Sequence, residues 1–168
     1  VGPIGTGLPG WIQSGVLIPI FGGIFYGLFR SNLNAEEWQR IAVVFIISFF
    51  VIFFWAGFEQ AGGTMNLFAY ERTDRHIGGW EMPATFFQGF NPLFIIILAL
   101  PFARMWNWND SKSWGLSTPA KMGVGMILLG LGFVVMYFGQ KEADELGLAS
   151  LWWLVAVYLI HTVGELCL

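Results

Sequence analysis

Charged residues are scarce in this chain. Lys and Arg number eight and Asp and Glu eleven among 168 residues, which is 11%. A soluble domain carries roughly a quarter charged residues, so this chain has too few to cover the surface of an ordinary soluble enzyme. The formal net charge of −3 also argues against a nucleic-acid-binding protein, because binding phosphates requires a basic face.

Cysteine and histidine are scarce as well. The single Cys167 excludes a disulfide framework and a cysteine metal site. The two histidines, His76 and His161, lack the spacing of a zinc site. Gly5, Gly7 and Gly10 form a G-x-G-x-x-G pattern, but neither a preceding strand nor a downstream acid accompanies it. We therefore expect no metal and no organic cofactor.

Long apolar runs are what the chain has instead, since hydrophobic types make up 56% of it. Runs of 18 or more apolar residues are typical of transmembrane helices, and a run such as IAVVFIISFFVIFFW does not alternate as a barrel strand would. Five runs carry no charge: 1–29, 41–58, 82–103, 122–140 and 146–164. They predict an all-α integral membrane protein.

The predicted membrane spans are roughly 11–29, 38–60, 83–106, 119–139 and 149–168. Helix-start signals support three of them. Asn34 can cap the second span, Pro83 suits the first turn of the third, and Ser117 precedes the fourth. The first span is interrupted by Pro19 and glycines, so a hairpin arm is an open alternative for it. The chain starts with Val and ends inside an apolar stretch, and we expect it to be part of a longer protein.

Lys and Arg near the span ends give a weak orientation signal. The first and third loops, on one side, carry five of these residues, and the second and fourth loops carry three. The first and third loops are therefore predicted to face the cytoplasm.

Two acids lie inside apolar runs, where a carboxylate costs at least about 2.5–3.5 kcal/mol. Glu59 is the only charge between 41 and 70, and Glu165 is the only charge after 145. We expect each acid to face a charged partner, water or a transport pathway, or to be held protonated. A Glu that changes between such environments can take up and release a proton. The alternative is a fixed ion pair that joins helices.

Several polar or aromatic residues accompany the two acids. Gln88 and Asn91 lie three apart on the third span, where their amides can orient a ligand or join two helices. His161 lies four residues before Glu165, and we expect an ordinary packing or hydrogen-bonding role for it. Tyr158 is equally consistent with a pocket wall and with the interfacial aromatic belt.

Four segments carry a resemblance to a known family. They are FFWAGFEQAG at 53–62, FFQGFNPLFIIILALPFARMW at 86–106, STPAKMGVGMILLGLGF at 117–133 and YLIHTVGELCL at 158–168. In order and spacing they resemble helices seven to ten of the proton-dependent oligopeptide transporters, a branch of the major facilitator superfamily. The resemblance covers about 36–168.

The resemblance implies a twelve-helix fold of two six-helix bundles with peptides bound between them. Residues 1–33 would be an inter-bundle linker with a hairpin helix, and 34–168 the first four helices of the carboxy-terminal bundle. Glu59 matches an acid that, in the family, pairs with an arginine on helix one and takes part in proton coupling and gating. Glu165 and Asn91 match groups that receive the peptide's amino terminus, and Trp55 matches a pocket aromatic. The segment Gln88 to Pro92 departs from the family's usual Q-S-L-N-P.

We therefore predict a multi-pass protein of the bacterial inner (plasma) membrane that is part of a proton symporter importing di- and tripeptides. Its partners would be peptides, protons as the coupling ion, the lipid bilayer and the amino-terminal bundle, with no nucleic acid. One alternative is a related carrier of a non-peptide substrate, such as nitrate or a drug-like zwitterion. Another is a non-transporting membrane subunit. An enzyme is not expected, because no second acid, nucleophile or metal group accompanies either Glu.

Overall fold

The computed structural model describes residues 10–168, and for 10–14, 16 and 17 it describes the backbone alone. The predictions for 1–9, which include Gly5 and Gly7 of the glycine pattern, lie outside the described residues. The chain divides into two compact units, Val1–Ile46 and Ile47–Leu168. Each unit is described by itself.

The first unit contains helix α1, Gly10–Arg30, and the start of helix α2, Ala35–Phe58. The predicted cap of α2 is confirmed. Asn34 Oδ1 accepts a hydrogen bond from the Glu37 N–H at 2.9 Å, and Glu37 Oε2 accepts one from the Asn34 N–H at 2.8 Å. This reciprocal capping box fixes where the helix begins. The prediction of a helix at 11–29 is confirmed, with Pro19 inside it.

In the second unit, α2 ends at Phe58 and a 3₁₀ turn, Glu59–Ala61, leads to α3, Thr64–Glu71. A 3₁₀ helix, Ala84–Gly89, precedes α4, which runs from Phe90 to Asp110. The remaining helices are α5, Thr118–Leu146, and α6, Leu151–Glu165. Three helical stretches are long and apolar enough to cross a membrane, Ala35–Glu71, Ala84–Asp110 and Thr118–Leu146, and α6 is a shorter apolar helix.

Two helix ends differ from the predicted spans. Pro83 lies before the 3₁₀ helix, with an extended ψ of 137°, and not in its first turn, and the third helical stretch therefore begins at Ala84 as a 3₁₀ helix. Helix α5 continues to Leu146 rather than ending near 139, because its charged last turns extend the helix beyond the apolar segment.

Four strands of two residues each lie in the second and fourth loops. Strand β1, Thr73–Asp74, pairs in parallel with β4, Ala149–Ser150, and β2, His76–Ile77, pairs antiparallel with β3, Trp80–Glu81. Because β1 and β4 pair, the two loops lie at the same end of the helices, as the predicted topology requires. Arg72 of the second loop adds an ion pair with Asp144, near the end of α5, at 3.7 Å.

The β2–β3 hairpin turns at Gly78 and Gly79, whose φ angles of 55° and 86° suit glycine. Next to the hairpin, the backbone N–H and the ring of His76 donate to Asp74, and these hydrogen bonds lower the pKa of the Asp74 carboxyl. The two hydrogen bonds thus favour the ionised form of this carboxyl.

Helices α5 and α6 pack closely because small residues lie where they meet. A Cβ added at Gly125 would lie 2.7 Å from the carbonyl oxygen of Gly164 on α6. A Cβ at Gly132 would overlap the ring of His161. The adjoining core is apolar, with Leu154 and Val157 of α6 fully buried. This packing fixes the position of α6, which carries Glu165.

Candidate functional site

Three polar residues lie on one side of α6. Tyr158, Thr162 and Glu165 are spaced four and three residues apart, which places them on one side of a helix. Tyr158 is 3% exposed and Thr162 is 0% exposed, whereas Glu165 is half-buried. The face therefore presents one carboxylate beside two buried hydroxyls.

Asn91 joins this face from the first turn of α4. Its Nδ2 donates to Glu165 Oε2 at 2.9 Å and to Thr162 Oγ1 at 3.1 Å. Residues more than 70 positions apart in the chain thus meet, and the structure brings together two of the predicted site residues, Glu165 and Asn91. Trp106, further along α4, donates from Nε1 to the carbonyl of Leu166 at 2.9 Å and ties down the end of α6.

Glu59 lies where α2 gives way to the 3₁₀ turn, and its side chain is exposed. It lines a cleft of about 190 Å³ together with Gln88, Asn91 and Tyr158. The hydroxyl of Tyr158 donates to the carbonyl of Ala61 at 3.3 Å, which connects α6 to the turn that carries Glu59. The predicted site residues Glu59, Gln88 and Asn91 therefore share one cleft.

We predicted that Gln88 and Asn91 lie on one side of the third span. Gln88 belongs to the 3₁₀ helix and Asn91 to α4, and both line the cleft beside Glu59. Gln88 is exposed and lines the cleft, while Asn91 is engaged by α6. Of the two amides, Asn91 is the one with a described hydrogen bond to Glu165.

Trp55 lies one turn before Glu59 and is 42% exposed. Its ring makes edge contacts with Phe54 and Phe58, at centroid distances of 5.9 and 5.4 Å. Within residues 18–168 it does not line the cleft beside Glu59. Its role in substrate binding stays a prediction.

His161 has the packing role predicted for it. The residue is 2% exposed, its Nε2 lies 3.1 Å from the carbonyl oxygen of Leu129, and its ring packs against Phe133 at 5.2 Å. It faces α5 and lies apart from the Asn91–Glu165 contact.

Among residues 18–168, neither Glu59 nor Glu165 has a Lys or Arg nitrogen within 4.0 Å. In the same residues, no three His, Cys, Asp or Glu side chains are grouped so that they can hold a metal ion. The described part of the site thus offers two carboxylates, two amides and a tyrosine hydroxyl. Such groups accept hydrogen bonds from a cationic or amide-bearing ligand.

Sequence reasoning missed Thr162 and the contact between Tyr158 and Ala61. The available signal was spacing alone, because Thr162 precedes Glu165 by three residues on the same helix face. A buried threonine in an apolar helix is usually a packing residue, and only the approach of α4 gives this hydroxyl a partner outside its own helix.

Comparisons with known proteins agree with this architecture. The sequence model described as POT family matches residues 16–168. The peptide transporter YePEPT of Yersinia enterocolitica is 36% identical over 140 residues, which cover 82% of this chain and 27% of that protein. The uncharacterized transporter YclF of Bacillus subtilis is 35% identical over 156 residues, covering 92% of this chain and 30% of that protein.

Solved structures show the same similarity. The crystal structure of a mutant peptide transporter POT in complex with sulfate aligns with a TM-score of 0.77 and 33% identity, over 93% of this chain and 31% of that one. A POT family transporter in complex with 5-aminolevulinic acid aligns with a TM-score of 0.72 and 28% identity, over 91% and 31%. This chain thus spans about 30% of the length of the relatives it matches. It is an integral membrane protein with part of a major facilitator fold, and it belongs to the POT family.

Proposed function

We propose that this chain is part of a proton-coupled symporter that imports di- and tripeptides by alternating access. It would act in the bacterial inner membrane as the start of the carboxy-terminal bundle, preceded by an inter-bundle hairpin helix. Family membership supports the reading, as do relatives described as a peptide transporter and as dipeptide and tripeptide permeases. Its partner in the fold would be the amino-terminal bundle of the same transporter.

One observation carries the proposal most directly. Glu165 is half-buried at the end of the apolar helix α6, and its described partner is the neutral amide of Asn91 at 2.9 Å. A carboxylate in low dielectric gains most from a cation, and a peptide supplies one in its terminal ammonium. Glu165 and Asn91 would therefore bind the amino terminus of the substrate.

Glu59 would carry the coupling proton. Its carboxylate lines the same cleft as Asn91 and Tyr158 but lies on the 3₁₀ turn, so protonation changes the charge of the cleft without breaking the Asn91–Glu165 contact. Loss of that charge would weaken a pairing with a cation of the other bundle. The bundles would then rock around the central site.

The direct test is proton-driven uptake of a labelled dipeptide by the full-length transporter in proteoliposomes. Glu165→Gln removes the charge and keeps the size of the side chain, and we expect uptake to fall to background. Glu145→Gln, on an exposed acid at the end of α5, is the matched control and should retain uptake. Unchanged uptake in Glu165→Gln would overturn the assignment.

A second candidate is a carrier of a small non-peptide zwitterion. The similarity to a POT family transporter in complex with 5-aminolevulinic acid favours this alternative specifically. Both candidates use the ammonium of the ligand, so they are separated by competition. The labelled compound is the small zwitterion, and unlabelled dipeptide is added in excess. The dipeptide abolishes uptake of the label if the site binds peptides, and leaves it intact if the site accepts only the smaller zwitterion. No catalytic reaction is proposed.

A further inference from the structure

Thr162 is the most buried polar residue of the site, with no exposed surface. Its hydroxyl hydrogen is already used, because Oγ1 donates to the carbonyl of Tyr158 one turn earlier in α6, at 2.7 Å. Toward α4 the oxygen therefore presents lone pairs only. A residue in this state can accept a hydrogen bond from a neighbour but cannot donate one.

This restriction determines which way the amide of Asn91 points. Both hydrogens of Nδ2 have acceptors, Thr162 Oγ1 at 3.1 Å and Glu165 Oε2 at 2.9 Å. Turning the amide over would place Oδ1 against a carboxylate oxygen and a hydroxyl oxygen without a free hydrogen. Two acceptors facing an acceptor repel one another, so the observed orientation is the favoured one.

The orientation leaves one polar atom of Asn91 for a ligand. Within residues 18–168, Oδ1 has no hydrogen-bond partner, and Asn91 lines the cleft beside Glu59 and Gln88. Glu165 cannot hold this orientation alone, because a carboxylate that binds an ammonium or a proton is a weaker acceptor for Nδ2. The hydroxyl of Thr162 donates to its own helix, so its oxygen remains an acceptor for Nδ2 when the ligand binds.

We propose that Thr162 is a positioning residue that keeps the amide oxygen of Asn91 available to the ammonium group of a zwitterionic ligand. The inference rests on the proposed function, and it adds a specificity role for a side chain that does not itself touch the ligand. Its chemical basis is the hydroxyl group, so a substitution that keeps the hydroxyl preserves the role, and one that keeps only the shape abolishes it.

The test compares Thr162→Val with Thr162→Ser in the full-length transporter reconstituted with a labelled dipeptide. We expect Thr162→Val to raise KM roughly threefold to tenfold, in proportion to one lost hydrogen bond, with Vmax within about twofold of wild type. Thr162→Ser should restore the wild-type KM. The matched control is Thr73→Val, which removes another buried hydroxyl that donates to a backbone carbonyl, at 3.2 Å and outside the site. Its KM should not change.

A double-mutant cycle separates positioning from general destabilisation. If Thr162 acts through Asn91, Thr162→Val should have little further effect on KM in an Asn91→Ala background. Additive effects, an unchanged KM in Thr162→Val or a failure of serine to restore KM would each overturn the inference. Should the valine variant not reach the membrane, Thr162→Ala takes its place with the same expectations.

The two proposals fail in distinguishable ways. Wild-type protein that does not take up the dipeptide overturns the proposed function and this inference together. Wild-type uptake that Glu165→Gln abolishes, with KM unaffected by Thr162→Val, overturns this inference alone.

Discussion

The two glutamates of the candidate site occupy different environments, and we propose different tasks for them. Glu165 accepts a hydrogen bond from Asn91 on a neighbouring helix and is half-buried. Glu59 is exposed on the 3₁₀ turn that follows α2 and lines the cleft together with Asn91. A carboxylate with fixed donors suits binding of a cation, whereas one exposed to a cleft suits exchange of a proton.

This difference predicts the behaviour of Glu59→Gln. The glutamine cannot release a proton, so uptake driven by a proton gradient should fall at least about tenfold, while exchange of labelled for unlabelled dipeptide without a gradient should persist. Counterflow and gradient-driven uptake in the same proteoliposomes measure the two activities. Loss of both activities to the same degree would contradict a role confined to proton coupling.

At the residue scale, the sequence identifies the charged residues of the site but not Thr162, which hydrogen-bonds the amide beside them. Glu59 and Glu165 stand out because each is an isolated charge in an apolar run. Asn91 is found through its position in a family-like segment. Thr162 is not, because its partner lies 71 residues away in sequence and only the packing of α4 on α6 creates the contact.

At the scale of elements, the α5–α6 contact is the close packing that holds Glu165 in place. Gly125 and Gly164 bring the two backbones together, since a Cβ at either glycine would lie within 3.0 Å of the other's carbonyl oxygen. Small residues at such crossings allow helices in a membrane to approach. The contact also surrounds His161, which reaches across to the carbonyl of Leu129.

The expected consequence is that Gly125→Ala destabilises the folded protein by about 1–3 kcal/mol through overpacking. Gly130→Ala is the matched control, because the space around this glycine of the same helix is open and alanine favours the helix. Melting temperatures in detergent should fall for Gly125→Ala and stay equal or rise for Gly130→Ala. Equal melting temperatures for the two variants would show that the crossing is not close-packed.

Element positions were largely predictable, and element types at their ends were not. Charge-free runs located the helices, and Asn34 marked the start of α2 through its capping box. The 3₁₀ segments at Glu59–Ala61 and Ala84–Gly89 were not predicted. Apolar periodicity does not distinguish 3₁₀ from α geometry over so few residues, and the choice depends on how neighbouring helices pack.

At the scale of the whole molecule, the chain would contribute one wall of the proposed binding site. It spans about 30% of the length of its relatives, and its cleft carries one carboxylate, that of Glu59, and the amides of Gln88 and Asn91. At one end of the helices, β1 pairs with β4 and joins the second loop to the fourth, and Trp153 of α6 donates to Glu142 of α5 at 2.7 Å. We expect the helices that these contacts connect to move together during transport.

The central claim is that Glu165 and Asn91 bind the ammonium of the substrate. Its most direct test is the affinity of the full-length transporter for a dipeptide and for the analogue in which a hydrogen replaces the terminal amino group. Wild type should prefer the dipeptide by roughly 10- to 150-fold, the range of one hydrogen bond to a charged group. Glu165→Gln should lose most of that preference by weakening dipeptide binding alone. An equal preference in wild type and Glu165→Gln would contradict the account.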